Sequence, residues 1–420
     1  MKKLKTLTYQ HTLAACCLGN VVLTIINFLQ PLLFVIFMEQ FGLTLGMISG
    51  LVMVNFGVQS LTDLLAAKYL DKIGYRRGAV ASSLLCLISL VCLSTLLYLL
   101  PTQPYLGLMI AAIIGGMGGG LTEVLVSPIV EAIPDSNTVG NMSTLHAYFG
   151  WGYAGVVLFS TLYLIAFGTA NWQWLPLLWA VLPLATTLLY LQVPINTLGQ
   201  NRQSVKLLPL LRHKVVLLLL LTMISVGAAE LAIAQWVSYF AEIGLQVSKT
   251  SGDLIGACGF ASLMALGRMI YGKIGSRANL YPALIGSGIA ALLGYLIIVF
   301  APTALLSLIG CAFCGLAMAT MWPAMFSLTA AVYPEGETAM FALLALAGDI
   351  GCMIGPGLVG IIAAAMHQAG DMSFWLMLGL QSAEIPLKIG LLVTAIFPVI
   401  VTLGVLWLKS YARKTARFSS

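Results

Sequence analysis

The sequence predicts an all-α membrane protein of twelve transmembrane helices, arranged as two pseudo-symmetric six-helix bundles. Three observations predict it: a composition unsuited to water, apolar runs of spanning length, and basic residues confined to alternate connections. Of the 420 residues, 60% are hydrophobic and only 8% are charged, and the mean hydropathy is +1.00. A soluble domain carries roughly 25% charged residues, so this chain could not cover a water-facing surface. A span needs about 20 mostly apolar residues, because the hydrocarbon layer is about 30 Å thick and a helix rises about 1.5 Å per residue. Helices fit this requirement, since each hydrogen-bonds its own backbone where there is no water.

Apolar runs fall near 13–36, 47–70, 79–100, 105–133, 141–167 and 172–193, then near 214–240, 252–272, 279–300, 304–333, 338–366 and 386–408. The polar stretch 194–213 reads as a cytoplasmic linker between an N-terminal bundle over 1–193 and a C-terminal bundle with its tail over 214–420. Segment 368–385 reads as a loop with a short interfacial helix around Trp375. The first run follows Lys2, Lys3 and Lys5. It is too long for a signal peptide and lacks a small-residue cleavage pattern, so it is expected to be retained. All eight cysteines fall inside the runs, and Cys311 and Cys314 form a CxxC without a second ligand pair. Small residues at helix contacts are the better reading than a metal site or a disulfide.

Charge sets the orientation. Under the twelve-span reading, the N-terminal side of the membrane holds eighteen Lys and Arg residues, whereas the other side holds only Lys249 and Lys388. By the positive-inside rule both termini are cytoplasmic. The net charge of +6 is then a consequence of topology, and no nucleic-acid partner is expected. The halves also echo each other. Asp71-Lys-Ile-Gly-Tyr-Arg-Arg follows the second run and Gly272-Lys-Ile-Gly-Ser-Arg the eighth, while Gly115 and Pro134 recur 200 residues on as Gly315 and Pro334. Parallel six-helix repeats are a transporter plan, with the solute bound near the midplane between halves that rock.

The stretch from Ala67 through Asp71 and Gly74 to Arg76 and Arg77 resembles the loop 2–3 signature of the major facilitator superfamily. That signature reads Gly-x-x-x-Asp-(Arg/Lys)-x-Gly-x-(Arg/Lys)-(Arg/Lys), and Ala67 stands in place of its first glycine. The resemblance implies the major facilitator fold and a cytoplasmic gate built on Asp71, Arg76 and Arg77, with Asp71 anchored at the N-terminus of span eleven. An anion there is favourable by about 0.3–1 kcal/mol. The plainer reading is that Asp71 neutralises a basic loop. In the second half Gly272 replaces the aspartate, so no matching latch is expected.

A charged side chain at mid-helix in a bilayer costs at least roughly 2.5–3.5 kcal/mol, which makes each one a functional candidate. The deepest acids are Glu123 in span four, Glu230 in span seven and Asp349 in span eleven; Asp63 and Glu131 lie nearer the cytoplasmic ends of their spans. No Lys or Arg is expected at mid-membrane to neutralise the deep acids, which favours a proton or sodium site over an ion pair. The alternative for each is a permanently protonated carboxyl that hydrogen-bonds one helix to another. The segment LTEVLVSPIVEAIP around Glu123 resembles the fucose:proton symporter family, whose fourth helix carries Glu-x-x-x-x-Pro. Leu145, His146, Phe149, Gly150 and Gly152 are similar to the opening of helix five in related sugar porters, and Gly227, Glu230 and Trp236 to their span-seven pattern. The resemblance implies that Glu123 is a proton-coupling carboxylate. It also implies an aspartate in helix one, but Pro31 occupies that region and the first run has no acid. Glu230 or Asp349 would have to share the charge. His146, whose imidazole titrates near neutrality, either joins proton exchange or contacts solute.

A sugar presents hydroxyls and an apolar ring face, so its site wants amides and an aromatic to stack on. The candidates are Asn27 and Gln30, Asn55 and Gln59, Tyr148, Gln235 and Trp236; the two amide pairs share helix faces by spacing. Trp172 and Trp174 read as interfacial belt residues. The run Gly115–Gly120 lacks the Lys-Ser/Thr ending of a phosphate loop and reads as close helix packing. The sequence therefore points to an ion-coupled secondary transporter of a small polar solute, with a monosaccharide:proton symporter as the leading reading. It is expected to be a monomer in a bacterial inner membrane, surrounded by lipid. No enzymatic chemistry, metal or cofactor is expected beyond the coupling ion, H+ or Na+. Two alternatives remain: a proton-coupled exporter of cationic drugs or metabolites, and a non-transporting sensor or scaffold.

Overall fold

A computed structural model describes residues 7–134, 138–196, 211–274, 279–333, 337–369, 372–377 and 380–418. These residues contain twelve helices long and apolar enough to cross a membrane, and no strand. The spans are α1 (Tyr9–Phe41), α2 (Leu45–Ala66), α3 (Tyr75–Leu99), α4 (Pro104–Glu131), α5 (Gly140–Phe167), α6 (Trp174–Gln192), α7 (Lys214–Gly244), α8 (Lys249–Lys273), α9 (Leu280–Phe300), α10 (Ala304–Val332), α11 (Leu343–Gln368) and α12 (Ile385–Ala412). Each overlaps the apolar run read from the sequence. The short helix expected around Trp375 is present as Ser373–Met377.

Local chemistry explains the breaks. Pro31 has no N–H and its ring crowds the preceding turn, and α1 tightens there into a 3-10 turn over Gln30–Leu33. The helix that contains α2 continues past the span to Ile73, so only Gly74 separates it from α3, and its φ of +91° is strained for any residue with a Cβ. That requirement accounts for glycine at this place in the signature. Pro104 opens α4 at a first-turn position, where its missing N–H costs nothing.

By packing, the chain forms two compact units: Met1–Leu33 with Gly57–Gln203, and Phe34–Phe56 with Ser204–Ser420. The division differs from a plain split at 194–213: the end of α1 beyond its 3-10 turn and the first half of α2 pack with the C-terminal helices. Most of that linker, 197–210, lies outside the described residues.

In the N-terminal unit the glycine run of α4 is a contact surface, as expected. A Cβ on Gly118 would meet Cys86 and the Ser82 carbonyl of α3, and a Cβ on Gly120 would meet Asp63 and the Gln59 carbonyl of α2. Helix α5 lies on α1, where Asn20 Nδ2 donates to the Leu145 carbonyl at 2.9 Å and Phe28 stacks on Tyr153. The eight cysteines are thiols without disulfides.

In the C-terminal unit α7 and α11 approach backbone to backbone. Gly227 faces the Gly348 carbonyl, Gly351 the Ile224 carbonyl and Gly355 the Ala228 carbonyl, each too close to admit a side chain. Trp236 Nε1 of α7 donates to the Pro356 carbonyl of α11 at 2.9 Å. Ser49 Oγ, from the first half of α2, donates to the Gly357 carbonyl at 3.0 Å, and Gly360 seats against Ser49 and Trp236. In lipid no hydrophobic force draws helices together, so such small-residue contacts carry the association.

This packing predicts different tolerance of one methyl group at two glycines. Gly355→Ala should lower the thermal unfolding midpoint of the detergent-solubilised protein, because overpacking costs about 1–3 kcal/mol and exceeds the gain of up to about 1 kcal/mol in helix propensity. Gly286→Ala in α9, whose added Cβ meets nothing within 4 Å, should leave the midpoint unchanged or raise it.

Candidate functional site

The first cluster lies between α2 and α4 of the N-terminal unit. Gln59 Nε2 donates to Glu123 Oε2 at 2.8 Å, so the structure joins two residues singled out for different roles, one for solute and one for the cation. Asp63, one turn beyond Gln59, brings a carboxylate oxygen within 4.8 Å of one on Glu123. The absence of side chains at Gly119 and Gly120 allows this meeting: a Cβ on Gly119 would come 3.0 Å from Gln59 Oε1, and one on Gly120 would come 2.7 Å from Asp63 Oδ1. The glycines of α4 thus set how near an amide and an acid of α2 come to Glu123.

The other candidates in this unit divide. Asn27 and Gln30 are buried in α1, Gln30 at the opening of the 3-10 turn. His146 is exposed on α5. Tyr148 is 45% exposed and shares one face of α5 with Trp151, Phe159 and Leu162, all exposed. Such an apolar stripe on a spanning helix meets hydrocarbon, which suits Tyr148 to lipid contact rather than to stacking on a solute. Of the residues expected at a cytoplasmic gate, the Asp71 side chain lies outside the described residues and Arg77 is exposed. Arg76 caps a helix: Nη1 donates to the carbonyls of Tyr190 at 2.8 Å and Leu191 at 3.0 Å, and Nη2 to that of Val193 at 2.7 Å. These carbonyls close α6 and have no helical partner, and a cation there also meets the negative end of the helix dipole.

In the C-terminal unit the expectation of unneutralised deep acids is corrected. Glu230 is 3% exposed and forms an ion pair with Arg268 of α8, whose Nη2 lies 3.0 Å from Oε1 and 3.3 Å from Oε2. Arg268 was assigned to a cytoplasmic connection, but it lies inside α8, and its length carries the guanidinium back to α7. Asp349 is buried at 2% exposure in α11, beside Gly348, against which the Trp322 ring packs. Gln235 and Asn55 are also buried. Trp236, expected to stack on a solute, is 0% exposed, with Phe34 and Tyr239 each at 5.7 Å between ring centroids and its N–H given to Pro356. Here it is a packing residue.

Two charged groupings escaped the sequence reading. Where α7 passes into α8, Lys249 lies 3.4 Å from Asp253 and 3.6 Å from Glu242, and Ser238 Oγ donates to Asp253 at 2.5 Å. At the start of α12, Lys388 pairs with Glu384 at 3.1 Å and is itself buried, rather than standing in an outer connection. The available signal was the i,i+4 spacing of opposite charges in both, which places partners on one helix face.

A family model described as the Major Facilitator Superfamily matches residues 16–356. Over 335 residues the chain is 25% identical to the membrane protein MosC of Rhizobium meliloti, an alignment covering 79% of this chain and 78% of that protein. Its fold is similar to that of a D-xylose-proton symporter, with a TM-score of 0.73 at 15% identity and coverage of 95% and 97% of the two chains. It is also similar to the E. coli fucose:proton symporter FucP, with a TM-score of 0.64 at 16% identity and coverage of 94% and 98%. At these identities the structural likeness is one of fold, whereas the family model takes in four-fifths of the sequence. With its twelve spanning helices, the chain belongs to the Major Facilitator Superfamily, a family of membrane transporters.

Proposed function

We propose that the protein is a cation-coupled secondary carrier of a small polar solute, a monosaccharide moved together with a proton, working by alternating access. The observation that carries this reading is the setting of Glu123: an acid within the span of α4, held by a neutral amide, Gln59, at 2.8 Å. A carboxylate within a span is expensive, which makes each one a functional candidate, and the Gln59 amide holds this one in place. Glu230 has a different setting, since Arg268 already balances its charge. The coupling role therefore falls to Glu123, and Glu230 becomes a structural residue. Asp349 keeps its place as an acid that can share charge, and sodium can take the place of the proton.

The likeness to two sugar:proton symporters of the same fold supports a sugar as cargo. The buried amides Asn27, Gln30, Asn55 and Gln235 would supply hydroxyl-binding groups, and Trp236 would contribute only in a conformation that uncovers it. Both termini are placed on the cytoplasmic side of a bacterial inner membrane, on the strength of the basic connections. On this reading the carrier is a monomer without a cofactor and performs no catalysis.

A thermal-shift screen of neutral sugars against organic cations identifies the cargo class; stabilisation by cations alone would favour the exporter reading instead. With the cargo known, its addition to right-side-out vesicles should alkalinise the medium, and Glu123→Gln should cut accumulation at least about tenfold, the equivalent of ~1.4 kcal/mol. Unchanged accumulation would remove Glu123 as the coupling acid. Glu230→Gln should behave differently: it strands a half-buried guanidinium, and losing one partner of a fully buried pair costs about 3–5 kcal/mol, an upper bound here. The yield of folded protein should fall for Glu230→Gln and recover when Arg268→Gln is added, as read by size-exclusion chromatography.

A further inference from the structure

The end of the C-terminal unit where α7 begins and α12 finishes gathers positive charge that no acid of the adjoining helices balances. Helix α12 packs between α7 and α9: a Cβ on Gly404 would meet Thr222 and Leu218 of α7, and one on Gly288 of α9 would meet Thr402 and the Pro398 carbonyl. Spans seven and twelve run in opposite directions, and from the Gly404–Thr222 contact it is ten residues to Lys414 and eight to Lys214. Those are about 15 Å and 12 Å of helix, so the two ends stand nearly level. Arg212 and Lys214 are exposed at the start of α7. The helix that carries α12 runs past the span's end at Ala412 to Phe418, with Lys409, Arg413, Lys414 and Arg417 at positions in its last turns. No Asp or Glu lies between Asp135 and Glu230, between Asp253 and Glu335, or between Glu384 and Ser420. The first half of α7 and the whole of α9 and α12 therefore bring no acid to this end.

A second observation fixes the level of these bases in the membrane. Trp407 and Tyr411, one turn apart on α12, stack at 5.4 Å with their planes 9° apart, and they are 46% and 40% exposed. Exposed Trp and Tyr on a spanning helix sit at the headgroup layer. The helix from Ala412 to Phe418 adds about 9 Å, against the roughly 5–8 Å that headgroups add to each side of the hydrocarbon. The basic positions of its last turns thus fall in the phosphate layer. Offsetting the negative end of the helix dipole would explain bases on α12. It does not explain Arg212 and Lys214, which stand at the positive end of α7, where a base is unfavourable without an anion beside it.

We propose that the adjoining ends of α7 and α12 bind the phosphate headgroup of an anionic phospholipid of the inner leaflet. Arg212, Lys214, Lys409 and Arg413 supply the charge, and the stacked rings of Trp407 and Tyr411 supply an apolar flank for the upper acyl chains. A dissolved phosphate would leave those rings bare, which is why the occupant is a lipid. The assignment to the inner leaflet rests on the orientation read from the basic connections, and the site depends on neither the cargo nor the coupling acid.

The test is native mass spectrometry of the full-length, delipidated protein in detergent, titrated with phosphatidylglycerol or with phosphatidylcholine of the same acyl chains. Wild type should bind phosphatidylglycerol at least about tenfold more tightly, since each Lys or Arg near an anionic surface is worth about fivefold in binding. Lys409→Gln with Arg413→Gln, and separately Arg212→Gln with Lys214→Gln, should each cut that preference at least about fivefold. Should either pair misfold, the other reports on the same site. Lys72→Gln with Lys273→Gln removes the same charge from exposed ends of other helices and should leave the preference unchanged. Excess inorganic phosphate should not displace the lipid. The proposal is overturned if wild type shows no preference, if the Lys72 and Lys273 pair loses as much as the site variants, or if inorganic phosphate competes. A lowered unfolding midpoint with the preference intact in Lys409→Gln with Arg413→Gln would also overturn it, leaving those bases as helix caps alone. Binding is read without solute, so its failure leaves the transport reading standing, and failure of the sugar screen leaves this site standing.

Discussion

Helices in a bilayer gain little by hiding apolar surface from one another, so this protein depends on how closely its backbones can approach. Glycine permits that approach, and the two places where it is most concentrated are also the places where charge is handled. On α4, Gly118 lets the helix settle on α3, and Gly119 and Gly120 admit Gln59 and Asp63 of α2. On α7 and α11, Gly227, Gly348, Gly351 and Gly355 bring the two backbones together beside Glu230 and Asp349. A side chain at any of these positions would push apart the groups whose spacing sets the electrostatics.

The second constraint is the cost of charge in lipid, which the protein meets in two ways. Glu230 meets it inside the fold, paired with the Arg268 guanidinium. Such a pair adds little net stability but is costly to break, so it holds α7 and α8 in one arrangement. Glu123 accepts a hydrogen bond from the Gln59 amide of the neighbouring helix. The pairing marks Glu230 as a structural acid, a distinction that rests on a side-chain neighbour rather than on depth in the membrane.

Depth and pattern were what the sequence could supply. The twelve spans, the Gly74 turn and the packing role of the α4 glycines were legible, because each depends on local composition or on the residue type a backbone position demands. The Gln59–Glu123 contact was half legible: both residues stood out as polar groups in apolar helices, but nothing in their spacing across 64 positions showed that they meet. Arg268 was misplaced because its position near the end of α8 is that of a loop residue, whereas its side chain is long enough to reach back to Glu230. Tyr148 and Trp236 met the description of a sugar-stacking aromatic, but one lies on an apolar stripe of α5 and the other is sealed by Phe34 and Tyr239. Which face of a helix is covered is settled by its neighbours, and a single sequence does not carry that information for α5 or α7.

The central claim is that Glu123, and not Glu230, carries the coupling charge. The most direct measurement is the current evoked by a rapid solute jump on proteoliposomes adsorbed to a solid-supported membrane, compared between wild type and the swapped pair Glu230→Arg with Arg268→Glu. Co-transport of a neutral solute with one cation moves net positive charge, so wild type should respond, and the swapped pair should respond with the same sign because Glu123 is intact. A folded swapped-pair protein that binds solute but gives no current would assign the coupling charge to Glu230 and contradict the account.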